Sequence, residues 1–202
     1  MSFRLETIAA GAACRRRCDL TRAEIISATG EITNSTADEL LAFLRDHMSD
    51  QQLRPVILIH SPGGTVVGAM QLGMMFRKIG AAVIVARAFD FEGEDRARVA
   101  PGACMSACVY AFFGGVKRVV PPVSKLGIHR MAIYERSRDP AGGDTVTRSY
   151  GTDDIVSALS DYTRMMGVNP QVIDYAEQIA PESIHIVTAK EISRWRLGSP
   201  HL

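Results

Sequence analysis

Apolar residues cluster in two short unbroken runs, Pro55–His60 (Pro-Val-Ile-Leu-Ile-His) and Ala81–Ala86. Runs of that length, rich in β-branched residues, predict strands buried on both faces. Ser61-Pro62-Gly63-Gly64 breaks the first run. Apolar Val67, Met70, Leu72, Met74 and Met75 then recur at helical spacing across Val66–Ile79, and Gly80 stops that helix. Upstream, Ala23–Ile32 is β-rich and closes at Gly30. Asn34-Ser35-Thr36 supplies an N-cap, with Glu39 completing a capping box from Thr36, before Leu40, Leu41, Phe43 and Leu44 mark a helix to His47.

Downstream, the charged Phe89–Ala100 segment reads as a loop and Met105–Phe113 as a short apolar helix ended by Gly114-Gly115. Lys117–Val120 and Lys125–His129 read as strands around Pro121-Pro122. Tyr134–Gly151 carries arginines (Arg136, Arg138), acids (Asp139, Asp144), a proline and paired glycines. It reads as a mobile loop or lid. Helices are predicted over Asp153–Met166, Pro170–Gln178 and Ala189–Arg194, the last capped by Thr188. Alternating strand, turn and helix predict an α/β fold with a mostly parallel core. The expected layout is an N-terminal extension over 1–22 and one domain over 23–202.

Composition narrows the function classes. The 202 residues carry 23 basic and 22 acidic side chains, a net charge of +1, with 47% apolar content. Such a balance gives no electrostatic reason to expect a nucleic-acid partner. No run approaches the ~18–20 apolar residues of a membrane span. The first residues hold no basic start followed by an apolar core, so no secretory leader is read there. That favours the cytoplasm.

Four cysteines form two pairs of equal spacing, Cys14/Cys18 and Cys104/Cys108. The spacing does not match zinc ribbons, and no metal site is expected. A bridge within a helical pair is disfavoured because Cβ atoms four apart on a helix sit too far apart. Bridges between the pairs, or buried free thiols, remain open.

The residues with chemical potential sit at turns. Ser61-Pro62-Gly63-Gly64 and Pro101-Gly102-Ala103-Cys104-Met105-Ser106 each join a predicted strand to a helix, where backbone amides are left without acceptors. Ser106 would fall in the first turn of its helix. His129 ends an apolar strand in Leu126-Gly127-Ile128-His129-Arg130, where an imidazole within reach of Ser106 could act as general base. Taken singly, the motifs read more readily as a tight turn, a helix cap and a satisfied strand-end histidine. The methionines of the 66–79 helix read as core.

In combination they resemble the Clp protease proteolytic subunit. The order Ser-Pro-Gly-Gly, Gly-Ala-Cys-Met-Ser-Ala-Cys, Gly-Gly-Val-Lys-Arg, Leu-Gly-Ile-His-Arg, spanning about Glu24 to Gly198, is similar to the Clp-protease-like branch of the Clp/crotonase superfamily. Many members of that branch are described as predicted periplasmic proteins. With the paired cysteines, this sets a periplasmic alternative beside the cytoplasmic one. The resemblance implies a ClpP/crotonase-type spiral of ββα units and a serine endopeptidase needing no cofactor. Ser106 would be its nucleophile, His129 its base, and Gly64 and Ala107 its oxyanion amides, with Gly63 shaping the turn. The 134–151 region would be an arm touching neighbouring subunits of a homo-oligomer, and the substrate a peptide or protein. Which ATPase, if any, works with it is not specified.

One position departs from the pattern. Counting back from Thr188-Ala189-Lys190-Glu191 places Ala180 where the family has its aspartate. Glu182 is the nearest substitute, with Glu177 and Asp174 as alternatives, and a dyad or a decayed site is also open. A poorly oriented histidine costs up to ~10⁴-fold in the well-studied serine triad. Two other classes stay in view: an oligomeric peptide-binding scaffold, which the missing aspartate favours, and a crotonase-type acyl-CoA enzyme, which would need no Ser–His pair.

Overall fold

The computed structural model describes residues 1–8, 25–47, 55–138 and 144–201. Among these, six strands form the main sheet. β2 (Ile25–Thr29), β3 (Val56–His60) and β4 (Ala82–Phe89) run parallel at its centre, and β1 (Ser2–Glu6) adds antiparallel to β2. β4 is long enough to pair twice along one edge. Its first half takes β7 (Lys117–Val119) in parallel, and its second half takes β5 (Arg98–Pro101) antiparallel. A second sheet places β8 (Lys125–Ile128) between β6 (Ala103–Met105) and β11 (His185–Ile186).

The apolar runs explain the centre. Ile26, Ile57, Ile59, Val83 and Val85 face one side, against α1 (Thr36–His47), α2 (Val66–Lys78) and α3 (Cys108–Phe113). Ile25, Leu58 and Ile84 form a smaller cluster on the other side. Both faces of the parallel strands are buried, as their unbroken hydrophobicity requires. The remaining helices, α4 (Asp153–Met165), α5 (Gln171–Ala176) and α6 (Ala189–Arg194), bring Leu159, Tyr162, Val172, Ile173 and Trp195 to the same core. Arg118 ties them in, donating to the carbonyls of Phe113, Gly115, Met166, Arg196 and Leu197. These carbonyls lie at the ends of α3, α4 and α6, where a cation is favoured, and Arg77 donates to those of Phe113 and Met166 as well.

Four expectations change. The Phe89–Ala100 segment is not loop throughout, because Arg98–Pro101 pairs with Ala86–Phe89. The 134–151 region is not an irregular loop: β9 (Ala132–Arg138) and β10 (Asp144–Tyr150) form an antiparallel hairpin. Its sequence is rich in β-branched and aromatic residues, and the proline and paired glycines fall between the strands. Thr36 is the first residue of α1 rather than its cap. Its buried hydroxyl accepts from the Thr33 amide at 2.9 Å, and Glu39 accepts instead from the Ser35 hydroxyl at 2.6 Å. The predicted helix over Met105–Phe113 starts only at Cys108, so Ser106 precedes it. Thr188 caps α6 as expected, in a full capping box with Glu191.

Candidate active site

Three segments converge at the edge of the second sheet. The Ser-Pro-Gly-Gly turn leaves β3 and locks onto β6: the Ser61 amide donates to the Ala103 carbonyl at 2.8 Å, and the Met105 amide donates to the Ser61 carbonyl at 3.0 Å. His60 joins them, its Nδ1 accepting from the Ala103 amide at 3.0 Å. Glycine is required at the next two positions. Gly63 has φ +111°, and a Cβ there would stand 2.8 Å from the Met105 carbonyl oxygen and 2.9 Å from Ser106 Cβ. Gly64 has φ +140°, and its Cβ would meet the Ile32 carbonyl oxygen at 1.9 Å. The turn therefore presses its bare backbone against the serine.

Ser106 occupies a left-handed conformation, φ +55°, between β6 and α3. A serine held there costs about 1–3 kcal/mol and persists only where its surroundings fix it. The Ser106 amide donates to the Gly127 carbonyl at 2.8 Å, and its carbonyl accepts from the Val109 amide at 3.1 Å. The result is a sharp strand-to-helix elbow with the hydroxyl at its apex. Cys104 and Cys108, on either side, form a disulfide. The helical spacing argument against such a bridge does not apply, because Cys104 lies in a strand and only Cys108 in the helix; their Cα atoms are 5.3 Å apart. Cys14 and Cys18 lie outside the described residues.

His129 follows β8, and with Ser106 it lines one narrow cleft. The cleft walls are Val109, Tyr110 and Phe113 of α3 and Val172, Ile173 and Ala176 of α5. Its free volume is about 10 Å³, roughly the room of one water molecule. His129 is the nitrogen base in that lining. Its Nδ1 lies 2.8 Å from the Arg130 carbonyl oxygen. A carbonyl can only accept, so Nδ1 donates the hydrogen of this contact. Among the described residues no hydrogen bond joins Ser106 to His129. Burial, followed by the charge of Glu177, raises the Tyr110 hydroxyl above its usual range and keeps it neutral.

Glu182 does not reach the imidazole. It pairs with Arg148 of β10, and its side chain is 59% exposed. Asp174 lines a different cleft, beside Tyr175 and Glu191. Glu177 acts one step removed from His129: its Oε1 accepts from the Met131 amide at 3.3 Å, and its Oε2 lies 3.5 Å from Arg130 Nε. The Arg130 amide donates to the Ile179 carbonyl at 2.9 Å. The peptide that orients the histidine is thus pinned from both sides. Sequence reasoning missed this carbonyl, since every residue has one. It also missed the apolar wall from α5, which carries no motif.

The amides of Gly64 and Ala107 have no acceptor among the described residues, whereas neighbouring amides at Gly63, Thr65 and Ser106 are all bonded. Ala107, at the head of α3, and Gly64, just before α2, flank the elbow from two separate turns.

The same arrangement of elements occurs in solved structures. A serine-to-alanine mutant of the membrane-bound stomatin-specific protease 1510-N superposes with a TM-score of 0.55 at 17% identity, over 85% of this chain and 74% of that one. A lysine-to-alanine mutant of that protease, in complex with a substrate peptide, gives 0.56 at 17% identity, over 85% and 70%. The fold is mixed α/β and similar to a ClpP-like protease fold. No family profile matches the sequence, and no curated protein is similar to it. Among the described residues no helix is long and apolar enough to cross a membrane, and no cluster of His, Cys, Asp or Glu could hold a metal ion.

Proposed function

We propose that the chain is a serine peptidase with Ser106 as nucleophile and His129 as general base. The left-handed elbow at Ser106, opening into the cleft that also holds His129, carries this reading. With Nδ1 bonded to the Arg130 carbonyl, Nε2 faces the task of accepting the serine proton. As Ser106 Oγ adds to a peptide carbonyl, its proton passes to Nε2. The amides of Gly64 and Ala107 receive the oxyanion, each such donor being worth ~3–4 kcal/mol in the transition state. The imidazolium then returns the proton to the leaving amine, and water repeats the sequence on the acyl-enzyme. The Ser–His bond would close when substrate fills the cleft, since such bonds are commonly long in empty sites.

The Arg130 carbonyl takes the orienting role that Glu182 was expected to fill. It holds the tautomer, yet it supplies less charge than a carboxylate to the imidazolium. A slow hydrolase follows. The cleft lining is apolar apart from Ser106, Tyr110 and His129, and a homo-oligomer remains part of the proposal. A fluorophosphonate probe tests the reading: wild type should label and Ser106→Ala should not. Absence of label on both would leave a peptide-binding scaffold.

A further inference from the structure

The Cys104–Cys108 disulfide encloses Ser106. One sulfur belongs to the last strand before the elbow, the other to the first residue of the helix after it, and Ser106 is the midpoint of the five-residue ring they close. Both cysteines are wholly buried. A ring this short removes far less freedom from the unfolded chain than a bridge across a long loop, so global stability is not its main return. Its constraint falls on the backbone torsions of Met105, Ser106 and Ala107. Those residues hold the nucleophile, the left-handed φ and one unbonded amide. The elbow is also held by hydrogen bonds to Ser61 and Gly127, by those from the Val109 and Tyr110 amides, and by the bare backbone of Gly63.

We infer that the Cys104–Cys108 bridge is a positioning device for the proposed hydrolase, holding the Ser106 hydroxyl and the Ala107 amide in register for attack. The inference rests on the serine-hydrolase reading. With the bridge absent, the strand and helix ends can separate and the elbow relaxes toward ordinary torsions. The hydroxyl then shifts by an ångström or so, enough to cost about 10²-fold in rate. The cleft walls from α5 and from Tyr110 and Phe113 lie outside the five-residue ring.

The test compares wild type, the Cys104→Ala/Cys108→Ala double variant and Ser106→Ala. Mass spectrometry after thiol alkylation in denaturant reports the bridge. Fluorophosphonate labelling at several probe concentrations gives the maximal rate and the half-saturating concentration. Circular dichroism and thermal melting report the fold. The expected result is a bridged wild type and a folded double variant whose maximal labelling rate falls about 10²-fold, with half-saturation unchanged. A purely structural bridge would lower the melting temperature and leave the rate of the folded fraction alone. Free thiols at Cys104 and Cys108 in the air-oxidised folded protein, or equal maximal rates in both forms, overturn the inference. A wild type that never labels overturns the hydrolase reading itself, and the positioning role with it. If the alanine pair does not fold, Cys104→Val/Cys108→Ala, which refills the sulfur volume, replaces it in the same comparison.

Discussion

Replacing Gly63 with alanine separates packing against the nucleophile from backbone strain. The added methyl would stand 2.8 Å from the Met105 carbonyl oxygen, 2.9 Å from Ser106 Cβ and 3.2 Å from the Ala107 nitrogen. Ordinary contact begins near 3.4 Å. The turn must therefore retreat from the elbow by about half an ångström, because no neighbour is the free end of a flexible side chain. That retreat moves the Gly64 amide away from the Ala107 amide, and a misplacement of this size costs up to about 10²-fold in rate. The positive φ adds about 1–3 kcal/mol of strain, which for a chain of this length lowers the melting temperature by roughly 3–10 °C. Gly93 provides the control: its φ is +82°, and nothing lies within 4 Å of a Cβ placed there. Gly93→Ala should lose some stability and label at the wild-type rate. Gly63→Ala should lose both. Fluorophosphonate labelling rates and melting curves measure the two effects on one sample. If Gly63→Ala labels within threefold of wild type, the Gly64 amide does not serve the serine, and the oxyanion assignment fails.

Two further perturbations address the supports of the site and of the fold. Glu177→Ala removes the acceptor for the Met131 amide and the partner of Arg130. Labelling should slow about tenfold, or ~1.4 kcal/mol, with partial recovery in Glu177→Gln, which restores the acceptor without the charge; an unchanged rate would detach Glu177 from the histidine. Glu191 reports on α6. Burial alone would raise its carboxyl, but bonds from the Thr188 amide, His185 and the Thr188 hydroxyl outweigh that and hold it below 4.5. A carboxyl depressed on folding stabilises the native state above its unfolded value and loses that contribution as pH falls through the folded one. The melting temperature should therefore fall as pH drops below 4.5, and Glu191→Gln should flatten the decline. A parallel decline in the variant would refute the assignment.

Sequence periodicity exposed the parts of the fold set by continuous burial. Pro55–His60 and Ala81–Ala86 carry enough adjacent aliphatic residues that only a doubly covered strand suits them, and both are central strands. The short strands were harder to see. Arg98–Pro101 is polar or half-exposed along its length and owes its conformation to the free edge of β4, which lies in the tertiary structure rather than in the local pattern. The pairing of β9 with β10 was obscured by the glycines and charged residues of this stretch, which carry no signal for a strand partner.

The site shows a different limit. Ser106 and His129 could be named because their side chains are distinctive, and the resemblance supplied their order. Apart from the Cys104–Cys108 bridge, what holds them is mostly main chain: the Gly127 carbonyl on the Ser106 amide, the Arg130 carbonyl on His129, and the Ser61 peptide on Met105. The charge of Glu182, the carboxylate nearest the expected position in sequence, is taken by Arg148, while the contact to the ring is a peptide oxygen that any residue at position 130 could provide. It follows that Arg130→Ala should keep the imidazole tautomer, because the carbonyl remains. It should lose only the tie to Glu177 and the stacking of the guanidinium over Tyr150 at 4.1 Å. A labelling rate close to that of Glu177→Ala would show that the side chains act through the peptide they anchor. Complete loss would mean that the guanidinium itself meets the substrate, and the orienting role assigned to the carbonyl would fall.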